Sequence, residues 1–330
     1  MLSAERSSTG TSERSRTVVV TGANGFVGAR TALALRDRGW HVRLCSRKVL
    51  ATSRSSVQEF LVPRLDDHAA WDRVLPGADV VVHCAGLAHV GEAEAIRRRD
   101  EFKHVNVQGT IALASAALRH SVRRFVFVSS IGVNGSRTAG CPIAANDPVR
   151  PSGVYAESKL EAEIALARLA HGTTLETVIV RPCLVVGPGA PGNLERLVNL
   201  LRRGWWLPLG AIDNRRSLVG VEALAELLAI AAEHPLAAGR VFLAAQGQPV
   251  TTTEIVRALA RGASLNPRLF GLPARGLRLL GTLTGRRCDV DRLCDSLEVD
   301  ASAAHELLDW VCSRSVLADL EEMSANHANV

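Results

Sequence analysis

Hydrophobic residues in this chain fall into short, nearly unbroken β-branched runs, separated by longer stretches with helical spacing. Thr17–Thr21 (TVVVT), Val42–Cys45, Asp79–His83 (DVVVH), Arg124–Ser129 and Glu176–Arg181 read as strands. They are too uniformly apolar to leave one face in water, which is the mark of a sheet covered on both sides. Gly28–Arg38, Val107–Leu118 and Tyr155–Leu169 carry apolar residues three and four positions apart and read as helices. Strands alternating with helices predict an α/β chain with a Rossmann-type doubly wound parallel sheet. On this reading residues 1–16 form a polar, unstructured tail and residues 17–180 a dinucleotide-binding domain. A helix at Glu222–Glu233 and a strand at Arg240–Ala244 rejoin that domain within about 213–246. The rest of 181–330, opened by the turn-rich Gly187-Pro188-Gly189-Ala190-Pro191-Gly192, forms a smaller mixed α/β lobe over the cleft.

Composition narrows the function classes. No run approaches the ~18 apolar residues of a membrane span, so no membrane insertion is expected. The N-terminal stretch lacks the apolar core of a secretory signal. The seven cysteines are scattered without a CxxC pair, which fits a reducing cytoplasm and no metal site. The net charge is +6, but the basic residues are spread along the chain and aromatics are 4%. No nucleic-acid partner is therefore expected. Of 39 basic residues only three are lysines (48, 103 and 159), and Tyr155 is the one tyrosine. In a chain so depleted of both types, each survivor carries more meaning.

The first strand runs into Thr21-Gly22-Ala23-Asn24-Gly25-Phe26-Val27-Gly28. Glycines at 22, 25 and 28 allow a tight turn, close backbone approach to a pyrophosphate and a helix pressed on the strand. The helix N-terminus then offers free amides and a positive dipole to phosphate. After the second strand, where a carboxylate ~20 residues on would hold the ribose of NAD, the chain has Ser46-Arg47-Lys48. Arg47 and Lys48 suit a 2′-phosphate, so NADP(H) is favoured, with NAD(H) also admitted; a solvated basic loop is the plainer reading.

Tyr155 precedes Lys159 by four residues at the start of a helix, which puts both on one face. A cationic lysine beside a phenol is expected to lower its pKa toward neutrality and make it a proton donor or acceptor. Ser129 and Ser130 end a strand at the edge where such sheets bind ligands. Ser130 is the preferred partner of the pair, although strand-end serines commonly only form turns.

These residues, in this order, resemble the extended short-chain dehydrogenase/reductase family, the NAD-dependent epimerase/dehydratase group. The resemblance rests on TGANGFVG (21–28), DVVVHCAG (79–86), NVQGT (106–110), VSSIGVNG (128–135), YAESK (155–159) and RPCLVVGPG (181–189). WLPLGAIDNRRSLV (206–219) and DRLCDSLEVD (291–300) look most like bacterial reductases of UDP-4-keto-6-deoxy-N-acetylhexosamines, the UDP-N-acetylquinovosamine 4-reductase type.

The resemblance implies that Tyr155 is the general acid, Lys159 holds the nicotinamide ribose and Ser130 binds the reacting oxygen. It places Gly22, Asn24, Gly25, Phe26, Val27 and Gly28 at the pyrophosphate, with Arg47 at the ribose. Leu65 and Asp66 fall near adenine, and Cys84, Ala85, Gly86 and Pro182 along the cofactor. Asn193, Arg216 and Arg292 grip the diphosphate of a UDP-sugar, and a homodimer is compatible. The chain departs from the family pattern in having Arg64 before Leu65, Asn134 for a usual tyrosine and Gly220 for a frequent histidine. Ile131 and Gly132 stand where dehydratases carry an acidic pair, which leaves 4-keto reduction or NAD-dependent 4-epimerisation. The missing carboxylate after strand two favours the reductase. A non-catalytic dinucleotide sensor on the same scaffold is a third reading, disfavoured by the retained tyrosine.

Overall fold

The computed structural model describes residues 16–48, 57–88, 90–285 and 287–325. The stretch read as an unstructured tail lies outside these residues, apart from Arg16. The first part of the fold comprises β1 (Thr17–Thr21), α1 (Phe26–Asp37), β2 (His41–Ser46), β3 (Val57–Leu61), α2 (His68–Val74) and β4 (Val80–His83). Next come α3 (Glu92–Arg97), α4 (Arg99–Phe102), α5 (Gly109–Arg119), β5 (Arg124–Val128), α6 (Val154–Ala170) and β6 (Glu176–Pro182). The chain continues through β7 (Leu184–Val186), α7 (Asn193–Arg202), β8 (Leu218–Gly220), α8 (Val221–Glu233), β9 (Val241–Ala244) and α9 (Thr252–Gly262). It ends with α10 (Ala274–Leu283), α11 (Arg287–Cys294), α12 (Ser302–Leu308) and α13 (Val316–Ala325).

Seven strands form one parallel sheet in the order β3-β2-β1-β4-β5-β6-β9. The order reverses between β1 and β4, which opens a crevice at their C-terminal ends. Strand periodicity divides the core in two. Val18, Val20, Val82, Val126 and Val128 face α1 and α8, packing with Leu35, Leu224 and Leu228. Val19, Val81, Phe125 and Phe127 face the other way, onto Trp71, Leu113 and Leu166 of α2, α5 and α6. That two-sided burial is why the strands read as continuous apolar runs.

A separate core belongs to the C-terminal region, where Val198, Leu207, Val256, Leu259, Leu277, Leu320 and Met323 pack together. α9 starts on a capping box in which Thr251 and Glu254 satisfy each other's backbone amides. Gly262 ends it against α13 so closely that a Cβ would lie 1.9 Å from the Glu321 carbonyl oxygen.

Some elements were not expected. Sheet edge β3 and helix α2 fall in a stretch to which the sequence pattern assigned no element. The helix placed at Val107–Leu118 begins as α-helix at Gly109, after a π-helical turn over Lys103–Gln108.

Candidate active site

The crevice is floored by the loops after β1 and β4, which touch. Gly22 has φ +66°, and a Cβ there would sit 2.9 Å from the Ala85 backbone. At Gly28 a Cβ would lie 2.2 Å from the Gly22 carbonyl oxygen, so α1 can press on the turn only as glycine. No side chain caps α1 at Gly25, and its first turn holds no acidic residue. The amides of Phe26, Val27 and Gly28 therefore face outward, in a cradle shaped for an anion. Asn24 is exposed at the turn. These are the features a dinucleotide pyrophosphate requires, and the loop fits one.

A buried polar chain locks the two loops to each other. The Ala85 amide donates to Thr21 Oγ1 (3.2 Å), Thr21 Oγ1 meets His83 Nδ1 (2.6 Å) and His83 Nε2 meets Thr110 Oγ1 (3.0 Å). Thr110 spends its own proton on the Asn106 carbonyl (2.7 Å), so His83 donates from Nε2 and accepts at Nδ1. Burial pulls the His83 imidazole down to about 3, which keeps it neutral in this role. Asn106, turned inward by the π-helical turn, accepts from the Leu87 amide (2.7 Å) and donates to Ser158 Oγ (2.9 Å). Ser158 in turn donates to the Tyr155 carbonyl (2.7 Å). His83 and Asn106 stood inside quoted motifs without an assigned role; a buried histidine in an apolar strand end was the available signal.

Tyr155 and Lys159 lie one turn apart on α6. Lys159 is buried, its Nζ donating to the Val128 carbonyl (2.8 Å) and lying 4.6 Å from the centre of the Phe127 ring. Gly86 passes beside it, so that a Cβ there would be 3.3 Å from Nζ. The Tyr155 ring packs edge-on to Phe102. The phenol does not behave as the sequence suggested: burial pushes it up to about 12. The ammonium that was to lower it is drawn to the Val128 carbonyl and is itself destabilised, down to about 8 by burial. The phenol therefore holds its proton throughout the neutral range in the cofactor-free fold.

The two strand-end serines part ways. Ser129 is buried and donates to Glu163. Ser130 caps a short 3₁₀ turn, accepting from the Gly132 amide (3.1 Å), and its hydroxyl proton is unclaimed among the described residues. Glu163 also takes two bonds from Arg181 (3.0 and 2.5 Å), and Arg181 donates to Asn134 Oδ1 (3.0 Å). This cluster ties α6 to the ends of β5 and β6, beneath the serines.

The remaining candidates are distributed as follows. Arg47 and Lys48 are exposed at the end of β2, where Ser46 donates to the Lys48 carbonyl. Leu65 packs on Gly109 and its carbonyl accepts from Trp71 Nε1 (2.8 Å). Asp66 is held by Arg64 (2.7 Å), which keeps its carboxyl down to about 2. Pro182 closes β6 beside Ala244 of β9. Arg216 and Arg292 are brought together, Arg216 Nη1 donating to the Arg292 carbonyl (2.8 Å) and the Asp295 carbonyl (3.1 Å). Arg292 reaches Glu92 of α3 at 3.7 Å, joining the C-terminal region to the sheet side. Asn193 is exposed at the start of α7, and no hydrogen bond joins it to either arginine among the described residues. At Gly220 a Cβ would lie 2.2 Å from Asp319 Oδ2, so with Asp319 in place no histidine fits there.

Lys159 gives a prediction separable from catalysis. In the unfolded chain this lysine keeps its proton to about pH 10.5, whereas in the fold it releases it near 8. Below pH 8 the fold carries a buried charge at a cost of ~3 kcal/mol, and stability rises as pH climbs from 8 to 10.5. Lys159→Met removes that cost and loses one hydrogen bond and one ring contact, on the order of 1 kcal/mol. The variant, free of cofactor, is expected to be ~1–2 kcal/mol more stable at pH 7, with the advantage fading toward pH 10. Urea midpoints at the two pH values decide it; a variant weaker at pH 7 refutes the buried charge.

Known proteins share this framework. The profile of the NAD dependent epimerase/dehydratase family matches residues 18–245. A UDP-glucose 4-epimerase of Vibrio cholerae is 36% identical over 304 residues, 92% of this chain and 92% of that one. A ceramide reductase of Caulobacter vibrioides is 32% identical over 307 residues, 92% of this chain and 88% of that one. The structure of MoeE5 in complex with UDP-glucose and NAD superposes with a TM-score of 0.77 at 25% identity, covering 95% of this chain and 98% of the other. With the glycine cradle, the reversed strand order and the Tyr–Lys helix in place, the chain belongs to the NAD-dependent epimerase/dehydratase family of extended short-chain dehydrogenase/reductase enzymes.

Proposed function

We propose that the protein is an NAD-dependent UDP-sugar 4-epimerase. The carrying observation is that Lys159, one turn after Tyr155 on α6, sits beside Gly86 and the end of β5 that Ser130 follows, next to the glycine cradle. NAD held in the glycine cradle would supply the hydride acceptor and donor that inversion at the sugar carbon needs. The protein's part is proton transfer and positioning. Ser130 hydrogen-bonds the sugar oxygen through its unclaimed proton, while Tyr155, as phenolate, takes the hydroxyl proton of that oxygen as the carbonyl forms and gives it back as the carbonyl closes. Lys159 supplies positive charge beneath the ribose and beside the phenol.

In this proposal Gly22, Asn24, Gly25, Phe26, Val27 and Gly28 hold the pyrophosphate. Arg47 meets the ribose, Leu65 and Asp66 the adenine, and Cys84, Ala85, Gly86 and Pro182 the nicotinamide half. Arg216, Arg292 and Asn193 hold the sugar diphosphate, where a guanidinium fork makes paired charged bonds to phosphate. The relation to the Vibrio cholerae protein supports the epimerase over the reductase that the sequence favoured.

One observation keeps the 4-keto reductase as a second reading: β2 ends in exposed Arg47 and Lys48, with no carboxylate before Val57. The test is to incubate the purified protein with UDP-glucose and UDP-N-acetylglucosamine without added cofactor. An epimerase yields the 4-epimer and carries tightly held NAD through purification. Oxidation of added NADPH by a UDP-4-keto-6-deoxy-N-acetylhexosamine, without epimer formation, overturns that in favour of the reductase.

A further inference from the structure

Helix α10 has two apolar faces. Leu277 and Gly281 point into the C-terminal core, and Arg278 pins the helix to Asp291 (3.3 Å) and Asp295 (2.5 Å). With 100° per residue, Leu279 and Leu283 lie on the opposite side and Leu280 on the flank beside them. Leu279, Leu280 and Leu283 are 62%, 50% and 76% exposed.

A second exposed pair, Trp205 and Trp206 at 59% and 64%, follows α7. It adjoins the chain leading into α10. The Leu207 amide donates to the Arg268 carbonyl (2.9 Å), the Phe270 amide to the Leu207 carbonyl (3.1 Å), and Leu207 pairs with Leu269 as a parallel bridge. Since Leu207 points into the core, strand alternation turns Trp206 outward on the side of Arg268 and Phe270.

The charge of these two segments has one sign. From Ile255 to Cys288 the sequence holds seven arginines and no carboxylate, and from Arg196 to Ile212 three arginines and none. Arg203, Arg268 and Arg275 are exposed and meet no carboxylate among the described residues.

We propose that this face docks on a lipid bilayer bearing anionic headgroups. Leucines enter the acyl boundary, tryptophans sit at headgroup level and arginines meet phosphates, which is the arrangement of an interfacial amphipathic helix. A protein partner or second copy would supply carboxylates to the arginines at fixed points; a membrane needs only the sign of charge and the apolar face between. The helix lies on the surface, because its ten residues span ~15 Å of a ~30 Å core. No helix among the described residues is long and apolar enough to cross a membrane.

The test is sedimentation of the full chain with vesicles. Binding is expected to equimolar phosphatidylcholine–phosphatidylglycerol, to weaken with salt, and to be far weaker to phosphatidylcholine alone. Replacing Leu279, Leu280 and Leu283 together by Ser should weaken binding by on the order of tenfold or more, with the melting temperature retained. Arg203→Glu and Arg275→Glu should each weaken it by about fivefold or more, since one basic residue near the surface is worth about that factor. Failure of the wild type to bind anionic vesicles overturns the proposal, as does a leucine variant that binds equally well. So does a wild-type dimer without lipid affinity that the leucine variant splits, because the face then covers a second copy.

Discussion

Tyr155→Phe is expected to lower kcat by about 10²–10⁴-fold while leaving cofactor affinity within about twofold, the range that general acid–base catalysis supplies. Phe keeps the ring, and the ring's packing is what the structure records: an edge-on contact with Phe102 and a half-buried place at the start of α6. It removes only the hydroxyl. That hydroxyl has no hydrogen-bond partner among the described residues, so its loss orphans nothing in the fold. Stability should therefore change little, by less than about 1 kcal/mol. Burial pushes the phenol up to about 12 in the cofactor-free fold, whereas oxidising a sugar hydroxyl needs this oxygen as the proton acceptor. A phenol so high cannot exchange its proton reversibly, and Lys159, held at the Val128 carbonyl, does not lower it in the cofactor-free fold, so charge brought with the cofactor has to bring it within reach. Single-turnover kinetics beside a dinucleotide titration separate the two effects. Wild-type turnover in the Phe variant would falsify the role of Tyr155 as the proton carrier.

The sheet could be read from the chain because its strands are buried on both faces. In TVVVT and DVVVH the polar residues stand only at the strand ends, and the alternate valines between them enter two different cores. The glycine cradle was legible for a related reason: close backbone approach excludes side chains, and that exclusion is written directly as glycine at 22, 25 and 28. β3 was missed because it is the sheet edge. Its VQEFL has one neighbour strand, so polar residues are tolerated and the apolar signal is diluted. The π-helical turn at Lys103–Gln108 is invisible to a 3.6-residue period, since it inserts one residue to aim Asn106 inward.

Electrostatics was the least legible layer. Four-residue spacing put Tyr155 and Lys159 on one face, but the direction of the phenol's shift depends on burial and on the Val128 carbonyl, which sequence spacing does not contain. The cofactor and the reaction were undecided for the same reason. Ser46-Arg47-Lys48 states what is missing from the ribose site, and an absent carboxylate selects less sharply than a present one.

Glu163→Ala is expected to destabilise the protein by about 3–5 kcal/mol, the usual consequence of leaving a buried charge without its partner. Glu163 and Arg181 are both almost fully buried, and Glu163 accepts two bonds from Arg181 and one from Ser129. Removing the carboxylate strands the guanidinium, whose only other side-chain acceptor among the described residues is Asn134 Oδ1. Asn134 already carries a buried Nδ2 without a partner, so this corner has no spare acceptor to offer. The cost of the lone charge, rather than the net worth of the pair, sets the size of the effect. Glu163→Ala combined with Arg181→Met should therefore be less destabilised than Glu163→Ala alone, by about 1–3 kcal/mol, because no charge is then left unpaired. Urea denaturation of the two single variants and the double variant measures the coupling. A Glu163→Ala loss below about 1 kcal/mol would mean that water reaches Arg181 and the cluster is not closed. Because Glu163 lies one turn beyond Lys159 on α6, the same bonds fix the helix that presents Tyr155. In the Glu163→Ala variant kcat should fall while the protein remains folded, and Glu163→Gln, which keeps an acceptor for Ser129 and Arg181, should restore most of it.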